Sequence, residues 1–148
     1  MGTKFPGSET EVHALDAYIK LTRAASTVLD RTNAHLATYG ITTSQFGVLE
    51  ALHHLGTLSQ IEVSRKLLLS TANITTVMQN LEKSGLIRRE RDSADQRVVR
   101  VSITDLGRAL VEKILPAHVA GIVADFSILT PDEQETLAAL CRKLGTGR

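Results

Sequence analysis

Four arginines, Arg88, Arg89, Arg91 and Arg97, bracket the turn Asp92-Ser93-Ala94-Asp95-Gln96. Guanidinium forks gathered in this way suit phosphate oxygens, or a narrow groove where negative potential is concentrated. Just upstream, Thr71, Ala72, Asn73, Thr76 and Gln79 share the polar side of a short helical pattern. Asn and Gln amides can pair with adenine edges, and Ala and Thr methyls can touch thymine methyls. Ser70 and the helix start behind it suit a phosphate. Each of these side chains alone is equally well an ordinary solvated residue. The set, next to an arginine-rich turn, points to duplex nucleic acid. Arg65 is either a backbone contact or part of a solvated face. Arg97 is either a groove contact or the partner of Asp95 in an ion pair that shapes the turn, and the two roles are compatible. Arg88, Arg89 and Arg91 are expected to divide between phosphates and salt bridges to Glu90 or Asp92.

No other chemistry is spelled out. His13, His35, His53, His54 and His118 lack the spacing of a zinc site, and the adjacent His53 and His54 fall on different sides of a helix. Cys141, on an apolar helix face, reads as a small buried hydrophobe. No nucleophile–base pair, glycine-rich phosphate loop or paired acids stand out. The expectation is therefore no enzyme, no metal and no cofactor.

The elements that hold the polar and basic residues lie between Leu58 and Thr104. Ser59 with Glu62 forms a capping box for a helix to about Leu69, and Ser70 caps a second from Thr71 to about Ser84, closed by Gly85. Ile74, Val77, Met78 and Leu81 make one apolar stripe on that second helix. Leu86–Arg91 is extended and basic, the next five residues have turn composition, and Arg97–Ile103 alternates and is rich in β-branched residues. Helix, turn, helix and a two-stranded basic ribbon is the layout of a winged helix-turn-helix. The alternative is a small α+β domain whose hairpin is only a solvated edge.

The run Asp92–Thr104 resembles the wing signature of the MarR family of bacterial transcriptional regulators. That signature has one Asp, a second two or three residues later, an Arg two beyond it, then alternating apolar residues ending in Leu-Thr. Leu81–Arg89 resembles the family's passage from recognition helix to wing, and Thr104-Asp105-Leu106-Gly107 its entry into the next helix. Ile103 replaces the usual Leu. Gln96 stands where many members carry a basic residue, so contact at the wing tip, expected from Gln96 and Arg97, would rest on Arg97 for charge. Asp92 and Asp95 are expected to build the wing. The resemblance implies a dimer made by the terminal helices, and usually repression relieved by a small phenolic or anionic effector.

At 148 residues the chain has room for one domain of ordinary size. Net charge is only +1, but residues 57–104 hold 8 basic and 5 acidic residues, or +3, against 9 and 11, or −2, elsewhere. Such a local excess suits a groove-binding module on a neutral scaffold. The five aromatic residues all lie outside the basic segment, which disfavours single-strand binding by base stacking. A lone cysteine excludes an internal disulfide framework. No apolar run reaches the roughly 18 residues of a membrane span, and no signal-peptide core is visible, so the expected location is the cytoplasm.

Long helices are expected on both sides of the winged core, over 8–38 and 105–148, with the core itself at 42–104. The first, capped by Ser8 with Glu11, would span about 45 Å, more than one small domain needs. Pro116 should kink the helix after the wing, and Thr130-Pro131 starts the last one. The fold class read from the sequence is therefore mainly α with a small β-hairpin wing. The function read from it is a homodimeric regulator binding an inverted repeat in double-stranded DNA. A ligand-independent winged-helix module that docks on proteins is the alternative.

Overall fold

A computed structural model describes residues 2–67 and 69–147, apart from the side chain of Thr71. The chain divides into two compact units, Met1–Ala34 with Val119–Arg148, and His35–His118.

The His35–His118 unit carries the winged core. In chain order it holds a 3-10 helix (Ala34–Tyr39), α2 (Thr43–Leu55), β1 (Leu58–Ser59), α3 (Gln60–Leu67), α4 (Thr71–Lys83), β2 (Ile87–Arg91), β3 (Val99–Ile103) and the first part of α5 (Asp105–Phe126). Every buried apolar residue among the described residues belongs to this unit, from Leu36 to Ile114. The apolar stripe of α4 meets Phe46, Leu49 and Leu52 of α2 and Val101 of β3 in one cluster. β2 pairs with β3 antiparallel, Ile87 opposite Ile103 and Arg91 opposite Val99. β1, which has no signal in the sequence, adds a short third strand through Leu58 opposite Val101. The strand order is β1-β3-β2, so β3 is central, with Val101 fully buried.

Capping explains most boundaries. Thr42 with Gln45 and Ser59 with Glu62 form reciprocal capping boxes, and Ser70 Oγ accepts from the Asn73 amide at 3.2 Å. Gly85 takes φ +73° after α4, a conformation that favours glycine.

Two expectations are corrected. The first long helix stops at Asn33 rather than Thr38. From Ala34 the chain tightens into a 3-10 helix that buries Leu36, and the Thr38 hydroxyl donates to the His35 carbonyl at 2.7 Å. Ile61, expected in the core, is 60% exposed, while Val63 is completely buried. Residues two apart on a helix point to nearly opposite sides, so both cannot face the same core. Of the leucines expected beside them, Leu67 and Leu69 pack on the cluster, and Leu68 lies outside the described residues. Pro116 is accommodated within a continuous α5.

A histidine pair adds a pH-sensitive contact. His35 Nε2 and His118 Nδ1 are 2.9 Å apart, and the buried His118 ring stacks edge-on against Phe46 with centroids 4.8 Å apart. Such a contact needs one N–H and one lone pair, so it cannot survive protonation of both rings. Burial holds the His118 pKa below its ordinary value; Glu50 opposes that shift and His35 adds to it. A histidine depressed in the folded state contributes stability that is fully present above about pH 6.5 and lost as pH falls through its folded pKa. The urea midpoint should therefore decline between about pH 7.5 and about pH 5. The decline should be shallower in His118→Phe, and equal slopes for the two proteins would refute the assignment.

The other unit contains α1 (Glu9–Asn33), the end of α5, and α6 (Pro131–Thr146). Ser8 with Glu11 and Thr130 with Glu133 are complete capping boxes, and Pro131 sits in the first turn of α6. Arg31 Nη1 lies 3.5 Å from Asp125, whose other oxygen accepts from the Thr32 hydroxyl at 3.3 Å. Only Thr32 is buried among this unit's described residues. Cys141, expected to be buried, is exposed among the described residues, as are the other apolar side chains of α6. No single helix among the described residues is long and apolar enough to cross a membrane.

Candidate nucleic-acid interface

The polar side of α4 is directed outward by the burial of its other side. Ile74, Met78 and Leu81 are buried, and successive positions on the helix place Ala72, Thr76, Gln79 and Lys83 on the opposite side, all exposed. The Thr76 hydroxyl donates back to the Ala72 carbonyl at 3.4 Å. Asn73 lies on one flank, where it shares a depression with Thr76, Asn80 and the start of α2 at Thr42 and Ser44. Asn80 is absent from the residues that the sequence pattern marks, although it repeats Asn73 two turns later and is exposed. The Thr71 side chain lies outside the described residues. Ser70 is exposed at the helix start, with its hydroxyl on the Asn73 amide.

The wing tip is built by its two aspartates. Asp92 Oδ2 accepts from the amides of Ala94 at 3.1 Å and Asp95 at 3.0 Å. The Asp92 amide donates to the Val98 carbonyl at 2.9 Å, and the Val98 amide donates to that of Asp95 at 3.0 Å. Asp95 then receives the Arg97 amide, Nε and Nη2, each at 3.0 Å. These hydrogen bonds hold the Asp95 carboxyl below the usual carboxylate range and push the Arg97 guanidinium up. Both readings of Arg97 thus find a geometric basis: its fork is bound to Asp95, and its side chain remains 90% exposed. Gln96 is exposed, but its amide donates to the Asp92 carbonyl at 3.1 Å, so it braces the turn.

The remaining arginines divide differently from expectation. Arg89 pairs neither with Glu90 nor with Asp92. Its Nη2 meets Glu82 on α4 at 3.0 Å and its Nη1 meets Gln60 on α3 at 3.4 Å, with only 21% of the side chain exposed. Both of its Nη groups are thus engaged within the fold, by partners other than the two acids expected. The contact lowers the Glu82 pKa. Alternation on β2 explains the difference: Arg89 shares a face with the buried Ile87, whereas Arg88 and Glu90 point the other way and are exposed. Arg91 donates to the Gln96 carbonyl at 2.7 Å, and Asp92 has Arg100 at 3.9 Å as its ionic neighbour. Arg88 and Arg65 are exposed, and neither forms an ion pair among the described residues.

An amide-bearing helix face and an exposed guanidinium on a rigid hairpin tip can together read base edges and neutralise phosphates. Known proteins resemble this chain in sequence and fold. The sequence model described as the MarR family matches residues 41–99. The HTH-type transcriptional regulator YkoM of Bacillus subtilis is 35% identical over 139 residues, covering 93% of this chain and 90% of that protein. BpsR of Bordetella bronchiseptica, whose DNA binding is regulated by 6-hydroxynicotinic acid, superposes with a TM-score of 0.79 at 29% identity, covering 87% of this chain and 98% of that one. S. aureus MepR, solved as a DNA complex, gives 0.78 at 25% identity over 88% of this chain and 98% of that one.

Proposed function

The chain belongs to the MarR family, and from that premise we propose that it is a transcriptional regulator that binds double-stranded DNA as a homodimer. The observation that carries this reading is the pairing of the exposed face of α4 with the exposed guanidinium at the wing tip. In this reading residues 71–79 enter a major groove and the turn 92–97 reaches the adjacent minor groove. The winged unit makes the DNA-binding core, α1, the end of α5 and α6 the dimerisation helices, and the whole chain one functional module. A two-fold dimer calls for an inverted repeat with half-sites about one helical turn apart. The regulation of BpsR by 6-hydroxynicotinic acid supports a small anionic effector; in this proposal the effector favours a spacing of the two recognition helices that misfits the site. Repression relieved by that effector is part of the proposal, as is a cytoplasmic location and the lack of an enzymatic activity.

Selecting bound fragments from sheared genomic DNA of the source organism tests this directly. The recovered fragments should share an inverted repeat, and affinity for them should fall steeply with salt. Absence of enrichment, with a flat salt response, would favour the protein-docking module instead.

Arg97 should supply the largest share of the wing's affinity. Arg97→Ala is expected to weaken binding and to reduce the salt slope by about one per subunit, most on A·T-rich flanks. Arg91→Ala serves as the comparison. A lowered melting temperature with an unchanged salt slope would make Arg97 purely a brace for Asp95.

A further inference from the structure

Ile61 is an exposed apolar side chain on a surface otherwise polar and basic, and it has company. With Ile74 from α4 and Val98 and Val99 from the returning arm of the wing, it lines a groove of about 430 Å³ between α3 and the wing. Arg65, one turn along α3 from Ile61, and Arg97 at the wing tip line the same groove. Arg65 has no ionic partner among the described residues, and the Arg97 pair with Asp95 leaves its side chain 90% exposed. The two serine hydroxyls that border the groove are already engaged: Ser59 accepts from the Glu62 amide and Ser64 donates to the Leu69 carbonyl. Gln60, whose Oε1 accepts from Arg89, also borders it, and what remains is an apolar wall between two cations.

That combination matches one strand of a nucleic-acid backbone, in which apolar sugar faces alternate with anionic phosphates. Position supports the match. Major and minor grooves are separated by a single sugar–phosphate strand. If α4 occupies one groove and the wing tip the next, the strand between them must cross the surface lying between α4 and the wing. The groove is on that surface, since it takes Ile74 from α4 and Arg97 from the wing tip.

We infer that this groove seats the strand dividing the two grooves, with Ile61 packed on a deoxyribose, Arg65 on the phosphate to one side, and Arg97 flanking the strand on the other as it enters the minor groove. The inference rests on the DNA-binding reading above and adds to it a sequence-independent apolar contact. Because Ile61 is exposed, its replacement leaves the core intact, so binding can be read without loss of fold.

The test uses the full chain and two fluorescein-labelled duplexes, one selected from genomic DNA and one of random sequence. Ile61→Ala and Ile61→Asn should weaken both duplexes by the same factor, about threefold and about tenfold, as expected for lost apolar burial at a partly exposed site. Melting temperatures should be unchanged. Arg65→Ala should reduce the salt slope by about one per subunit on both duplexes. Wild-type affinity in both Ile61 variants, with the selected duplex still bound by the parent protein, would overturn the groove assignment and leave the DNA-binding reading intact. Loss confined to the selected duplex would make Ile61 a base contact and equally overturn it. A parent protein that binds neither duplex would remove the premise itself.

Discussion

Gly107→Ala should destabilise the protein by about 3 kcal/mol and lower its melting temperature by roughly 10 °C, at the upper end of what one added methyl does in a packed interior. The reason is local. A Cβ at Gly107 would lie 2.2 Å from the Leu86 carbonyl oxygen and 2.9 Å from Ile103 Cγ1. A backbone carbonyl cannot swing aside as a flexible side chain can. It is also the acceptor for the Thr104 amide at 3.1 Å, while the Thr104 hydroxyl donates to the Gly85 carbonyl at 2.7 Å and accepts from the Gly107 amide at 3.1 Å. These contacts tie the start of α5 to the turn that leads from α4 into β2. Moving Gly107 away from Leu86 therefore disturbs that turn, and with it the placement of the wing relative to α4. DNA affinity should fall along with stability. A thermal melt within about 2 °C of the parent protein would show that α5 can shift cheaply and would refute the argument.

Leu140→Glu should convert a dimer into monomers or aggregates and cost about 100-fold or more in affinity for an inverted-repeat site, the gain that bivalent engagement normally brings. The unit made of the terminal segments buries none of its described apolar residues. On α6, Leu137, Leu140 and Leu144 recur at i, i+3 and i+7, with Leu140 60% and Leu144 68% exposed. α1 leaves Tyr18, Leu21 and Leu29 exposed, and the end of α5 leaves Val119, Ile122 and Val123. An apolar surface of this extent on a single chain marks an interface, and a second copy is the partner a closed two-fold arrangement supplies. Light scattering during gel filtration and a binding titration would read the two effects separately. A well-behaved monomer of the intact chain at micromolar concentration would rule out the dimer. An intact dimer with parental affinity in Leu140→Glu would place the interface away from this face of α6.

Local signals account for the features that are legible in the amino-acid sequence. Ser8, Thr42, Ser59, Ser70 and Thr130 announce helix starts through capping hydrogen bonds that span three residues. The apolar stripe from Ile74 to Leu81 announces which side of α4 is buried, and so which side is presented outward. The acidic turn between two basic strands announces the wing and the Asp95–Arg97 pair, because both partners lie within two residues of each other. Such features depend on neighbours along the chain, and the sequence alone determines them.

Tertiary structure decided the rest. The role of Arg89 depends on Glu82 and Gln60, which lie on two other helices; alternation along its own strand sets it apart from Arg88 but names neither partner. β1 exists because Leu58 finds Val101 across 43 positions of sequence, a pairing that a two-residue strand cannot advertise. The exposure of Ile61 and the burial of Val63 follow from the side of α3 that docks on the core, and so short a helix carries too little periodicity to show it. Cys141 reads as interior from its apolar neighbours, but burial requires a surface to pack against. Among the described residues the apolar side chains of α6 are all exposed, so its face stays open.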